Sequence, residues 1–191
     1  LYIREIEVGI EGTGIKAGII KVADDSAGVT DQGEIVLRAA ARAQKQTGVP
    51  ITTHTGAPQR VGEQQVRIFE DEGVNLSRVC IGHSNDTTDM GYLTRLLEDG
   101  VWLGMDRHPG SGPDVPLWRE RSQVVKLLIE QGWGHRLMLA HDWDSSIGLH
   151  STDDRAAREA NNPDNYLFIT RHVLPYLKEL GATDGDVQRL T

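Results

Sequence analysis

Five short apolar runs, each separated from the next by a longer stretch of helical periodicity, constrain this chain more than any other feature. The runs are residues 17–23 (AGIIKVA), 49–53 (VPITT), 79–82 (VCIG), 101–105 (VWLGM) and 137–140 (LMLA). Near-continuous hydrophobic runs of this length, rich in β-branched residues, suit parallel strands that are covered on their faces. The intervening stretches, about 31–47, 62–73, 88–99 and 115–132, carry apolar residues at i, i+3 and i+4, so each reads as a crossover helix joining parallel neighbours. Gly48, Gly73, Gly100 and Gly132 follow them directly, where a left-handed helix C-cap is expected. A polar segment at 145–165, with an NNPDN cluster, reads as a long loop, and a helix is expected over 166–180.

The fold class is therefore α/β, with residues 1–191 as a single domain. A barrel of eight βα units needs roughly 250 residues, and five units in 191 residues amount to five eighths of one. An open, doubly wound five-stranded sheet fits the same count. Composition narrows the function. With 28 acidic against 20 basic residues the formal charge is minus 8, and no basic stripe offsets it, which speaks against nucleic acid or an anionic membrane as partner. No apolar run approaches the roughly 20 residues of a membrane span. A lone cysteine, Cys80, forbids an intrachain disulfide and points weakly to a reducing, cytoplasmic compartment. The chain starts at Leu1 with no signal-peptide pattern, and we expect it to be a piece of something longer.

Each strand ends on an ionisable group: Lys21, His54, His83, Asp106, and His141 with Asp142. Parallel strands present their chemistry at their carboxyl ends, so these residues belong on one face. Two imidazoles and a carboxylate there suit a borderline divalent ion such as zinc. The bland alternative is a set of hydrogen-bonded rim residues. Lys21 is the odd member, since an ammonium inside an apolar strand costs several kcal/mol unless paired, neutralised or modified; a snorkelling rim lysine is the other reading.

Taken in order, AGIIKVA, PITTHTG followed by GEQQ, VCIGHSNDT, LGMDR and HDW resemble the phosphotriesterase family of the amidohydrolase superfamily, from its fourth barrel strand to the helix after its eighth. The resemblance implies a (β/α)8 TIM barrel, here with strands 4 to 8 and without strands 1 to 3, and two divalent metals, most often Zn, with Co, Mn or Fe as alternatives. It also implies a carbamate on Lys21 that bridges the metals, His54 and His83 on the more exposed metal, and Asp142 on the more buried one. Asp142 would take the proton of the attacking hydroxide, which makes the expected activity hydrolysis of an ester, an organophosphate triester or a lactone. A homodimer is what the family suggests.

Two departures matter. The family's first strand carries a His-x-His pair, and no such pair occurs here, so an upstream extension of about 100 residues or more is expected. Where triesterases relay protons through a His after the seventh strand, this chain has Arg107, which cannot accept a proton; Asp86 matches the other relay member. Asp106 followed by Arg107 is more similar to the lactonase branch. Asp86 could instead cap a helix from Thr88, Arg107 could pair with Asp106 or Asp114, and Trp143 could be either a pocket wall or rim packing. His108, His141 and His150 read as supporting or surface residues. A G-x-S-x-G elbow around Ser145 and Ser146 is absent, and the glycines of GIEGTGIKAG precede a strand rather than follow one, which disfavours serine hydrolysis and dinucleotide binding. The competing readings are an inactive partial-barrel scaffold or binding module, and a mononuclear relative with no need of Lys21.

Overall fold

The computed structural model describes residues 1–110, 115–143, 156 and 159–190. Five strands, β1 (Ile20–Asp24), β2 (Ile51–Thr55), β3 (Val79–Ile81), β4 (Trp102–Met105) and β5 (Leu137–Leu139), form one sheet in the order β1-β2-β3-β4-β5. β1 to β4 pair in parallel, with Lys21 opposite Thr52, Ala23 opposite His54 and Thr52 opposite Cys80. Every strand lies beside its neighbour in sequence. A doubly wound sheet reverses its strand order at a switch point, so the observed order removes that alternative and agrees with part of a (β/α)8 barrel. No helix among the described residues is long and apolar enough to cross a membrane.

The helices are α1 (Tyr2–Glu7), α2 (Asp31–Thr47), α3 (Val61–Asp71), α4 (Met90–Glu98), α5 (Trp118–Glu130), α6 (Leu174–Glu179) and α7 (Asp184–Leu190). α2 has the bounds its periodicity predicts, because both ends are signalled: Thr30 accepts the Gly33 N–H at 3.1 Å, and Gly48 closes the helix with φ 74°. Gly73, Gly100 and Gly132 likewise have positive φ. α4 starts at Met90, two residues later than expected, because Asp89 is its cap and accepts the Tyr92 N–H at 3.0 Å. α5 starts at Trp118 rather than 115, since Pro116 precedes the turn in which Glu120 accepts the Leu117 N–H at 2.7 Å. The helix expected over 166–180 is broken into a 3-10 turn, a π-helical turn at Ile169–Val173 and α6. Pro175 has no N–H to give the preceding turn, which suits a local change of hydrogen-bond register. α1 and α7 have no counterpart in the sequence reading.

The chain folds as two compact units, one of residues 1–84 and 89–103, the other of 85–88 and 104–191. In the first, Ile20, Val22, Ile51, Val79 and Ile81 from the strands are buried with Leu37, Val66, Phe69, Leu93 and Leu96 from the helices. Each such side chain is worth about 1.5–3 kcal/mol on burial. The alternation along β1 is buried–exposed–buried–exposed–buried, which sends Lys21 and Ala23 to the opposite face. In the second unit, Met105, Val124, Val125, Leu128, Leu137, Val173 and Leu177 form the core.

Candidate active site

The pleat of the first unit decides which groups share its open face. Side chains on a strand alternate, so Lys21, Thr52, His54 and Cys80 lie on one face by register, while Thr53 and Thr55 turn to the buried one. His83 follows the end of β3 in a left-handed conformation, φ 57°. The turn brings its Nε2 to 2.9 Å from His54 Nδ1, with ring centroids 4.4 Å apart and planes at 83°. Only one of two nitrogens at that distance can carry the hydrogen between them. The other nitrogen of His54, Nε2, faces Asp25 Oδ2 at 3.8 Å.

Sequence reasoning missed Asp25, and the signal for it was slight: a second carboxylate at the end of the first run, in KVADDS. Gly56 explains its approach. A Cβ at Gly56 would lie 2.9 Å from the Ser26 nitrogen and 3.0 Å from the Asp25 carbonyl carbon, so only glycine lets the loop after β1 close on the end of β2. Lys21 lies on the same open face. Its side chain is exposed, because the pleat carries it away from Ile20 and Val22, and its Nζ donates to the Thr53 carbonyl oxygen at 2.8 Å.

The second unit holds a chain of charges. Arg107 Nη1 donates to Asp86 Oδ2 at 2.6 Å, and its Nε donates to Asp142 Oδ2 at 2.9 Å. Arg121 Nη1 donates to the other oxygen of Asp86, Oδ1, at 2.7 Å and to the Asn85 carbonyl oxygen at 2.7 Å. Arg107 thus bridges two carboxylates, with Asp86 and Asp142 in the places the sequence reading gave to Asp106 and Asp114; Asp114 lies outside the described residues. Burial acts to lower the Arg107 pKa, but Asp86 and Asp142 outweigh it and leave it raised, so the guanidinium stays charged. Burial also leads for Arg121, and there it wins, with the Asp86 carboxylate pulling the other way. Asp86 is an ion-pair member in a 3-10 turn and caps no helix. Asp142 has a left-handed backbone, φ 46°.

Arg121 is the principal residue that sequence reasoning overlooked. Its side chain is fully buried, and its spacing to Val124, Val125 and Leu128 puts it on the apolar stripe of α5. His108 is buried as well: its Nδ1 lies 3.2 Å from the Met105 carbonyl oxygen, and burial, with Arg121 adding to it, pushes its pKa down to about 3. Burial lowers the His141 pKa, and its Nε2 accepts the Ile169 N–H at 3.2 Å. Trp143 is half-buried, and its carbonyl oxygen accepts the Tyr166 hydroxyl at 2.7 Å. Asp106 is half-buried near Arg121. Ser145, Ser146 and His150 lie outside the described residues.

Among the described residues no group of three or more His, Cys, Asp or Glu converges as a ligand set. The His54 and His83 pair nevertheless fits a divalent cation. Two ring nitrogens already face each other, and the Asp25 carboxylate lies 3.8 Å from the far nitrogen of one ring, within ion-pair reach and beyond a hydrogen bond.

Comparison with known proteins agrees with the order of these motifs. The profile of the phosphotriesterase family matches residues 1–191. A phosphotriesterase homology protein of Mycobacterium tuberculosis is 45% identical over 191 residues, covering 100% of this chain and 57% of the relative. An aryldialkylphosphatase of Saccharolobus solfataricus is 34% identical over 184 residues, 96% of this chain and 58% of the relative. N-acetyltaurine hydrolases also match, the human one at 29% identity over 199 residues, 100% of this chain and 54% of the relative. The solved structure of the phosphotriesterase from Mycobacterium tuberculosis superposes with a TM-score of 0.91 at 42% identity, over 98% of this chain and 57% of that one. The chain thus spans less than two thirds of the length of these relatives.

Proposed function

This chain belongs to the phosphotriesterase family, and on that premise we propose that it serves in a metal-dependent hydrolase that opens ester bonds, of a lactone or an organophosphate triester. The observation that carries the reading is the facing pair His54 Nδ1 and His83 Nε2 at 2.9 Å. Supporting it are the names of relatives: an aryldialkylphosphatase acts on phosphoesters, and an N-acetyltaurine hydrolase adds an amide to the bonds that need testing. In this reading β1 to β5 are the fourth to eighth strands of a barrel, and the working protein is a homodimer.

His54 and His83 would hold a divalent ion through neutral ring nitrogens, which suits Zn first and Co, Mn or Fe as alternatives. The family resemblance would add Lys21, as a carbamate, and Asp142 as further ligands. Two such ions, when bound, lower the pKa of a water and polarise the oxygen of the bond under attack. Asp142 accepts the proton released in the attack. Arg107 cannot take that proton, being charged at any working pH; its bond to Asp142 Oδ2 aims the carboxylate instead, and Asp86, pinned by Arg121, aims Arg107. Asp106 and Trp143 shape the pocket for a small ester.

The test is turnover of a lactone, a phosphotriester, a carboxyl ester and an N-acetyl amide before and after chelation. Loss on chelation, recovery with Zn2+ and loss in His54→Ala support the reading. Chelator-resistant turnover overturns it, and inactivity toward every bond class leaves the scaffold reading. Full activity and metal content in Lys21→Ala would favour a mononuclear centre.

A further inference from the structure

Behind the open face of β2, on its buried side, lies a run of polar groups that a sheet packed against helices does not need in order to fold. The Gly82 N–H donates to Thr53 Oγ1 at 3.2 Å, the Thr53 and Thr55 hydroxyl oxygens are 2.6 Å apart, and Thr55 Oγ1 donates to Gln65 Oε1 at 2.9 Å. Because the Thr55 hydrogen is used on Gln65, the hydrogen between the hydroxyls belongs to Thr53. At the far end the Gln65 amide divides its two hydrogens between Asp24 Oδ2, at 3.0 Å, and the His54 carbonyl oxygen, at 3.1 Å. The run therefore has one direction, from Gly82 through Thr53 and Thr55 to Gln65, and every hydrogen in it has a defined acceptor. Flipping the Gln65 amide would set its oxygen against a carboxylate and a carbonyl. Thr53, Thr55, Gln65 and Asp24 are all buried.

Such a run is costly where it is incomplete and cooperative where it is complete. Valine at 53 and 55 and leucine at 65 would leave the Gly82 N–H, the His54 carbonyl and an oxygen of the buried Asp24 without these partners, so the run stands or falls as a unit. Its ends land beside the candidate ligands: Gly82 precedes His83, Gln65 grips the carbonyl of His54, and the Thr53 carbonyl receives Lys21 Nζ. We propose that Thr53 and Gln65 are positioning residues, and that this directional hydrogen-bond run sets the placement of the His54 and His83 imidazoles and so their affinity for a divalent cation. The inference rests on the metal-site reading above and names residues that reading does not use.

The experiment is a Co2+ titration of the chelator-treated protein, followed by the visible absorption of the bound ion, in wild type, Thr53→Val, Thr53→Ser and Gln65→Glu, with Gly82 amide exchange measured on the same samples. Thr53→Val keeps the shape of the side chain and removes both of its hydrogen bonds; Thr53→Ser keeps the hydroxyl. We expect Thr53→Val and Gln65→Glu to bind Co2+ about 10- to 100-fold more weakly, the range for supporting residues of metal ligands, and Thr53→Ser to stay near wild type. Faster Gly82 exchange in Thr53→Val at unchanged Co2+ affinity overturns the proposal. If Thr53→Val does not fold, Gln65→Glu decides by the same affinity criterion. If wild type takes up no Co2+, or keeps it in His54→Ala, the functional reading is what fails. Positioning is then judged by the nuclear Overhauser contact between the two imidazoles: its loss in the variants supports the proposal and its persistence overturns it.

Discussion

Acidification should weaken the fold through His108 before most carboxylates begin to titrate. The ring is buried, and its pKa falls from 6.5 to about 3, with burial the largest cause and Arg121 the next. A histidine whose folded pKa is depressed is held neutral by the fold. The unfolded chain binds its proton first, so stability is present above the unfolded pKa and is lost as pH falls from about 6.5 toward about 3. Between pH 7 and pH 5 the unfolded histidine becomes almost fully protonated and the folded one stays bare, which integrates to about 2 kcal/mol. The measurement is urea unfolding at both pH values in wild type and in His108→Asn, whose amide can still donate to the Met105 carbonyl. The difference between the proteins isolates His108 from every other titrating group. We expect wild type to lose about 2 kcal/mol more than the variant over this range. A difference under about 0.5 kcal/mol refutes the burial argument, as does a His108 ring whose proton resonances titrate near 6.5, a readout that does not require the variant to fold.

The remaining expectations concern the charged chain and one close approach. In Arg121→Met the buried side of Asp86 is left without its cation, and urea unfolding should show a loss of about 3–5 kcal/mol; a loss below 1 kcal/mol would mean that Arg107 alone satisfies Asp86. In Arg107→Lys a point charge replaces a fork that now reaches both Asp86 and Asp142, so hydrolytic kcat/KM should fall about tenfold, the value of one charge-assisted hydrogen bond, and equal kcat/KM would remove Arg107 from the machinery. A Cβ at Gly33 would overlap the Asp24 carboxylate. Gly33→Ala should therefore destabilise by about 1–3 kcal/mol in spite of the better helix propensity of alanine, and a stabilised variant would show that α2 does not close on Asp24.

The parts of the fold legible in the sequence were those that local chemistry writes directly. The five strands and the bounds of α2 follow from apolar period, a threonine cap and a glycine stop, all within a few residues of one another. α4 shows the limit: SNDTTDM offers several capping residues, and Asp89 was chosen over Asp86 because Asp86 meets two arginines far along the chain. The imidazole pair was legible because both residues lie at or just past the carboxyl ends of neighbouring strands. Their support was not, since a hydrogen-bond run from Gly82 to Gln65 depends on which strands pair and on how the helix lies over them. A usable signal did exist in both units. Gln65 falls on the apolar stripe of α3 with Val61, Val66 and Phe69, as Arg121 does on that of α5. A polar residue at a core position of an amphipathic helix marks a buried partner, even when the sequence does not name it.

His83 and Asp142 leave their strands with φ of 57° and 46°. For L residues other than glycine this region costs about 1–2 kcal/mol, and glycine would occupy either place at no such cost. A thermostability screen that scores folding alone would therefore reach these two positions early, reward their replacement, and return a sturdier protein from which the candidate chemistry had been erased. Any engineering of this chain for robustness should hold both positions fixed before the first round begins.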